Sequence, residues 1–434
     1  MAQTETGSIA PAQTEALHRL EQTLRAAGAL GPGEAIPRLS PDALVMQDRR
    51  VGLSIQDGVV TGLAQRRCGL TTLPDAVCAL DGLRWLDVGG NALPILPDGL
   101  CDLTRLEMLY ANDNRLAALP DGIGRLGALQ TLHLDNNHLT TLPDSLARLA
   151  ALRDLNLRGN QIAVWPEALG SLAHLHNLSI GENGLTTLPE TIGALTALRR
   201  LYVDGNRLAR LPESLGALAA LQILDLGHNR LQALPETLGN LSQLEILYAS
   251  DGQLTALPDS LRRLARLRYL NLTHNAFTTL PGWLGELTEL IELRLYNNQL
   301  TALPDSLGDL AHLRELYLMD NALTAVPDST GQLGGLRVLR LQNNRLEALP
   351  ETLGALTRLA ELDLRNNRIA RLPDSLGGLA ELRTLDLRGN RLAAVPDSLG
   401  ALPRLEKLDL RWNRLSSAPA CAAALEARGC AVYL

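Results

Sequence analysis

LPDSLGGLAELRTLDLRGNRLAAVPDSLGALPRLEKLDLRWNRL, residues 372–415, states one phrase twice at a spacing of 23 residues. Its core, LxxLxLxxNxLxxLPxxLGxL, runs backward through the chain without a slip. The asparagine slot holds Asn91, Asn114, Asn137, Asn160, Asn183, Asn206 and Asn229, becomes Gly252, and returns as Asn275, Asn298, Asn321, Asn344, Asn367, Asn390 and Asn413. One period before Asn91 stands Cys68. Sixteen units in register describe a stack in which each unit buries its apolar face on its neighbours, so no closed central core is required.

Within a unit, LxxLxL alternates with period two and predicts a short strand with its leucines inward. The asparagine follows as the chain turns away. Its amide both donates and accepts, which suits it to satisfy turn backbone in its own unit and the next. Then comes Leu-Pro-acid. Proline suits the first turn of a helix, and a carboxylate there meets the positive end of the helix dipole. Fourteen of the fifteen acid slots from Asp75 to Asp397 hold Asp or Glu, Gly282 being the exception. The expected fold class is therefore α/β: a solenoid shaped as a horseshoe, with a parallel β-sheet on the concave face and short helical or 3-10 turns on the convex face. At about 4.8 Å per strand, sixteen strands would span roughly 75 Å.

Both ends depart from the phrase. Residues 1–12 are small and polar and read as a disordered leader. Residues 13–58 read as an N-terminal cap, with an amphipathic helix from Thr14 to Ala27 on Leu17, Leu20 and Leu24, then a hairpin turning at Asp57-Gly58. Residues 59–415 carry the sixteen repeats, the first imperfect, with Gln65 where a core leucine belongs. Residues 416–434 read as a C-terminal cap, a helical run from Ala422 to Arg428 followed by a closing strand at the end of the chain.

The phrase resembles the 23-residue class of intracellular leucine-rich repeats, over about residues 59–434. That class includes the erbin and scribble type of Ras-pathway scaffold, plant Ras-group repeat proteins and many bacterial members. The ending Arg411-Trp412-Asn413 with Leu425 to Cys430 looks like a bacterial closing cap, and the tandem units resemble popC-type effectors that plant pathogens inject into host cells. The resemblance implies a leucine-rich-repeat solenoid that binds another protein on its concave strand face, as a bacterial scaffold or a secreted effector. An alternative it raises is the substrate-recruiting part of a bacterial leucine-rich-repeat E3 ubiquitin ligase.

Composition bounds the function. A net charge of −7 argues against a general binder of nucleic acid or anionic membrane. No apolar run approaches a membrane span of about 18–20 residues. Met1 to Pro11 shows no Sec-type signal, so the expectation is a cytoplasmic protein, or one secreted into a host without such a signal. No phosphate loop, HExxH, CxxC or GxSxG is present, and neither an enzyme nor a cofactor is expected. Cys101-Asp102 is the nearest thing to a nucleophilic pair, but no histidine stands beside it, and a packing role is favoured. Cys78 with Cys101 and Cys421 with Cys430 could pair, yet without an export signal free thiols are favoured. The acid column could suggest a cation ladder, but helix-dipole stabilisation accounts for every member.

Recognition is expected where side chains point to solvent. Numbering LxxLxLxxN from its first leucine, those are positions 3, 5 and 7. They hold six of the seven tyrosines: Tyr110, Tyr202, Tyr248, Tyr269, Tyr296 and Tyr317, with Trp85 at position 3 near the start. Tyrosine favours strands, which accounts for part of this. It does not account for five tyrosines between 202 and 317 in company with Arg and acids, a composition typical of interface hot spots. The expected partner-binding residues are Tyr202, Asp204, Tyr248, Tyr269, Glu292, Arg294, Tyr296, Glu315, Tyr317 and Met319, on a monomer. Asp363, Asp386 and Asp409 beside Arg365, Arg388 and Arg411 read as a solvated ion-pair ladder. Gly252, lacking the slot's amide, is expected to loosen its repeat.

Overall fold

The computed structural model describes residues 9–46 and 50–434; residues 1–8, most of the segment expected as a leader, lie outside the described ones. The chain forms two compact units, residues 1–208 and 209–434.

The first unit opens with helix α1, Pro11–Ala26. It begins three residues before Thr14, because a proline at the helix start has its φ preset and gives up an N–H that would be unpaired there anyway. Leu17, Leu20 and Leu24 are buried. Gln13 ties the helix to the first repeat: its Nε2 donates to Asp81 Oδ1 at 3.0 Å and its Oε1 accepts the Val60 N–H at 2.9 Å. A short helix α2, Pro41–Met46, precedes strands β1, Val51–Gln56, and β2, Val59–Gln65. These form an antiparallel hairpin. Asp57 and Gly58 both have positive φ, 49° and 74°, as a tight two-residue hairpin turn requires.

Strand β2 is also the first repeat strand. It pairs in parallel with β3, Trp85–Asp87, and then β4, Met108–Tyr110, β5, Thr131–His133, β6, Asp154–Asn156, β7, Asn177–Ser179, and β8, Arg200–Tyr202, follow in chain order. The second unit repeats the arrangement with β9, Ile223–Asp225, β10, Ile246–Tyr248, β11, Tyr269–Asn271, β12, Glu292–Arg294, and β13, Glu315–Tyr317. It continues with β14, Val338–Arg340, β15, Glu361–Asp363, β16, Thr384–Asp386, and β17, Lys407–Asp409. Helix α3, Ala420–Glu426, then leads to β18, Ala431–Tyr433, which pairs in parallel with β17. Cα partners are 23 residues apart through the repeats, so the leucines of position 4 stack on one another.

The asparagines supply the polar half of this packing. Asn298 Oδ1 accepts the Phe277 N–H of the preceding repeat at 3.2 Å, and its Nδ2 donates to the carbonyls of Leu272 and Leu295, each at 3.0 Å. Asn344 and Asn367 repeat the pattern one and two units further from Asn321. On the other side each repeat makes a five-residue 3-10 turn, as at Asp305–Asp309. Proline sits just before the turn, with Pro304 at φ −73°, and the acid occupies its first position. The turns stack closely: a Cβ on Gly308 would lie 2.4 Å from the Ser329 carbonyl oxygen, so this slot needs glycine.

Two positions break the pattern. Without an amide at Gly252, the Leu231 N–H has no partner among the described residues, whereas Leu254 one repeat on is accepted by Asn275 Oδ1 at 3.0 Å. A Cβ at 252 would meet that same Oδ1 at 2.9 Å, so restoring asparagine requires Asn275 to shift. Gln65 occupies an inward leucine position, fully buried, and neither amide atom finds a hydrogen bond among the described residues. An unpaired buried polar group costs about 1–3 kcal/mol. Gln65→Leu is therefore expected to stabilise the protein by about that amount, read as a higher urea midpoint with unchanged slope.

Candidate functional site

On β10 to β14 the outward side chains lie across one another instead of standing free. Tyr248 packs on Tyr269 of the next strand, ring centroids 4.9 Å apart. The Arg294 guanidinium then sits between two rings, 5.5 Å from Tyr269 and 5.1 Å from Tyr317. Arg340 covers the other side of Tyr317 at 5.6 Å. The strand register produces this run, since Arg294 stands opposite Tyr317, and Tyr317 opposite Arg340. Acids hold the ends of the side chains: Glu292 accepts from Arg294 Nε, and Glu315 accepts the Tyr317 hydroxyl. All of these residues are half-buried, as are Tyr296 and Met319. Tyr296 makes an edge contact with His274 at 5.4 Å. The second unit thus brings together eight of the expected residues: Tyr248, Tyr269, Glu292, Arg294, Tyr296, Glu315, Tyr317 and Met319.

The stacking has an electrostatic consequence. Burial pushes the Tyr269 phenol up to about 12. Burial first, and the hydrogen bond given to Glu315 second, push Tyr317 up to about 12 as well. Both groups favour the neutral phenol in the folded chain, so their contribution to stability is fully present below the ordinary phenol pKa of about 10 and is lost as pH rises through about 12. A spectrophotometric tyrosine titration is expected to show a late-titrating class of phenols that Tyr269→Phe with Tyr317→Phe diminishes by two.

Tyr202 and Asp204 belong to the first unit and have their own surroundings. Asp204 is largely buried and takes Arg158 from two repeats away, Nη1 to Oδ1 at 2.8 Å, while Arg158 Nη2 reaches Glu182 at 2.7 Å. The guanidinium crosses the intervening repeat because Gly181 has no side chain there. A Cβ at Gly181 would lie 2.5 Å from Asp204 Oδ1 and 2.8 Å from Arg158 Nη1. Tyr202 lines a hollow of about 320 Å³ with His133, Asp154, Asn177 and Arg200. Burial works against the Asp154 carboxylate, but hydrogen bonds from His133 at 3.1 Å and Asn177 at 2.8 Å hold its pKa below the usual value. The sequence carries no signal for this hollow, since small Ser179 lines it at an outward position where only tertiary neighbours show the open space. Gly181→Ala is expected to separate Arg158 from Asp204 and to lower unfolding stability in a urea titration by at most about 1.5–3 kcal/mol, the usual worth of a hydrogen bond to a charged group.

Two expectations are corrected. Trp85 is not offered to solvent: Leu44 of α2 and Leu39 close over it together with Ala64, Met108 and Tyr110, and it is 7% exposed. The Asp–Arg ladder is not solvated either. Asp363, Asp386 and Asp409 are buried, each gripped by the arginine two residues on, as when Arg365 Nη2 meets Asp363 Oδ2 at 2.6 Å. Each arginine but the last also reaches the aspartate of the next strand, Arg365 to Asp386 at 3.6 Å and Arg388 to Asp409 at 3.4 Å. Burial opposes the Asp409 charge, yet bonding from Arg411 keeps its pKa low. Large side chains left exposed at this end are Tyr433, Leu434 and Trp412, the last stacked near Arg388 and Arg411.

The five cysteines are free thiols. Cys101 is fully buried in its turn and burial raises its pKa, the opposite of what a nucleophile needs. No group of three or more His, Cys, Asp or Glu among the described residues could hold a metal ion. No described helix is long and apolar enough to cross a membrane.

Known proteins share this arrangement. Residues 204–295 match the leucine-rich repeat region family, and residues 112–162, 311–369, 334–392 and 357–415 match the leucine rich repeat family. A leucine-rich repeat protein of Leptospira interrogans is 35% identical with a TM-score of 0.79, the match covering 84% of this chain and 93% of that one. The chain belongs to the leucine-rich repeat family. The Arabidopsis receptor kinase HAESA, solved with the peptide hormone IDA and the co-receptor SERK1, is 26% identical at a TM-score of 0.64, over 87% of this chain and 69% of that one. Drosophila Toll, solved with Spatzle, is 26% identical at 0.71, over 80% of this chain and 49% of that one. No curated protein matches.

Proposed function

We propose that this chain is a non-catalytic protein-binding module and that the stacked Tyr–Arg surface on β10 to β14 is its principal contact. The observation that carries the reading is the unbroken run Tyr248–Tyr269–Arg294–Tyr317–Arg340, each group packed on the next. Such a surface presents aromatic faces and guanidinium edges whose rotamers are already restricted, so little side-chain entropy is lost when a partner covers them. Tyr202 and Asp204 offer a further contact in the first unit, anchored by Arg158. HAESA and Toll, which share the fold, were each solved with a protein or peptide ligand, which supports a protein or peptide as the partner.

The working picture is a monomer that binds protein and not nucleic acid, acting as a bacterial scaffold or as an effector delivered to a host. The net charge of −7 and the 35% identity to a Leptospira protein support it. The ubiquitin-ligase reading loses its candidate nucleophile with the burial of Cys101.

The test is affinity capture from cytoplasmic extracts, comparing the natural chain with Tyr248→Ala combined with Tyr317→Ala. Because both rings are packed, truncation also costs about 0.5–1.5 kcal/mol of stacking each, so thermal unfolding is recorded in parallel. Loss of the captured protein from a variant that remains folded at the assay temperature is the expected result. Full retention would overturn the assignment.

A further inference from the structure

The residues just before the strands, at position 2 and at the position preceding the first leucine, form a separate surface along the strand starts. Three arginines there are ion-paired with an acid one repeat away. Arg84 faces Glu107 at 3.5 Å, Arg383 faces Glu406 at 2.9 Å, and Arg404 pairs with Glu381. In the second unit four others gather without such a partner. Arg268, Arg314, Arg337 and Arg358 surround a single hollow of about 190 Å³, and none of the four is paired with a carboxylate among the described residues. The repeats of Arg314 and Arg337 stack directly, with the Arg337 N–H donating to the Arg314 carbonyl at 2.8 Å, so these two guanidinium stems leave the sheet about one strand spacing apart.

His312 adds to the same hollow. Its Nδ1 lies 3.0 Å from the Thr288 carbonyl oxygen, which can only accept, so Nδ1 carries the proton and the ring is oriented by the backbone. Glu289 is the one acid in the lining, and His312 Nδ1 lies 3.8 Å from its Oε1. Gly335 also lines the hollow and adds no side chain to it. Like charges on adjacent strands oppose folding unless something neutralises them. Four guanidiniums around one acid, in a chain of net charge −7, form a concentrated positive site.

We infer that this hollow is a binding site for a phosphomonoester carried on a peptide side chain. A carboxylate brings one charge and two acceptor oxygens. A phosphomonoester brings about −1.5 to −2 and three acceptor oxygens, which matches several forked guanidinium donors better. Arg268 and Arg314 directly precede Tyr269 and Glu315, so a peptide held here lies beside the stacked surface, but the site does not depend on that surface being a contact.

The test is calorimetric titration of the full chain in phosphate-free buffer with three probes: a pentapeptide with phosphoserine between alanines, the same peptide with glutamate in that place, and inorganic phosphate. The phosphopeptide is expected to bind most tightly. Arg314→Gln with Arg337→Gln should weaken it by about tenfold or more, and raised salt should weaken it further. Arg383→Gln, whose arginine is already paired, and the Tyr248→Ala, Tyr317→Ala variant should bind it as the natural chain does. The Arg314, Arg337 variant should melt no lower than the natural chain, since removing either charge relieves repulsion. Equal binding of the glutamate peptide or of inorganic phosphate, unchanged binding by the double arginine variant, or no binding at all would each overturn the inference.

Discussion

A turn buried between two stacked repeats must pair its backbone groups without water, and the asparagine column does this. One side chain accepts an N–H of the preceding repeat and donates to carbonyls on both sides, as Asn298 does for Phe277, Leu272 and Leu295. Because its reach equals one strand spacing, the same residue works in every unit, and every unit must keep the same register. The leucine stack follows from that register, and so does the close approach of the 3-10 turns that demands glycine at Gly308. Cys68 serves the first unit in its own way, its thiol donating to the Arg66 carbonyl at 3.2 Å.

A fixed interior leaves the outward positions free to specialise, and the two units use them differently. In the second unit large aromatic and guanidinium groups fill the surface and restrain each other. In the first, small Ser179 lines a hollow, and Gly181 lets the charged side chain of Arg158 pass to Asp204. Toward the C-terminal end the aspartates sink into the sheet surface and are held by arginines from their own and the preceding strand. Buried pairs of this kind offset a large desolvation cost, so they specify local geometry more than they add stability.

Recognition surfaces built this way depend on register as much as on composition. Tyr317 lies between Arg294 and Arg340 because all three occupy position 5 of successive strands. Arg314 and Arg337 likewise share position 2 of successive strands, while at Arg383 the next repeat supplies Glu406 and the charge is spent internally. A column's chemistry is therefore set by what the neighbouring repeat offers one strand spacing away.

Reading the residues alone was enough to determine the repeat, its length, the inward leucines, the hairpin turn at Asp57-Gly58 and the identity of most outward positions. These follow from local periodicity and from backbone preferences that act within a few residues. Only the tertiary structure decided which outward groups are exposed. Trp85 is covered by Leu44, which lies far from it in sequence, and Asp409 is buried by arginines on two strands. The helix start at Pro11, the passage of Arg158 over Gly181 and the lack of a partner for the Gln65 amide were decided there as well. Each depends on distances between side chains of different repeats or of a cap and a repeat, and a one-dimensional period carries the spacing of such groups but not their reach, their packing or their pairing.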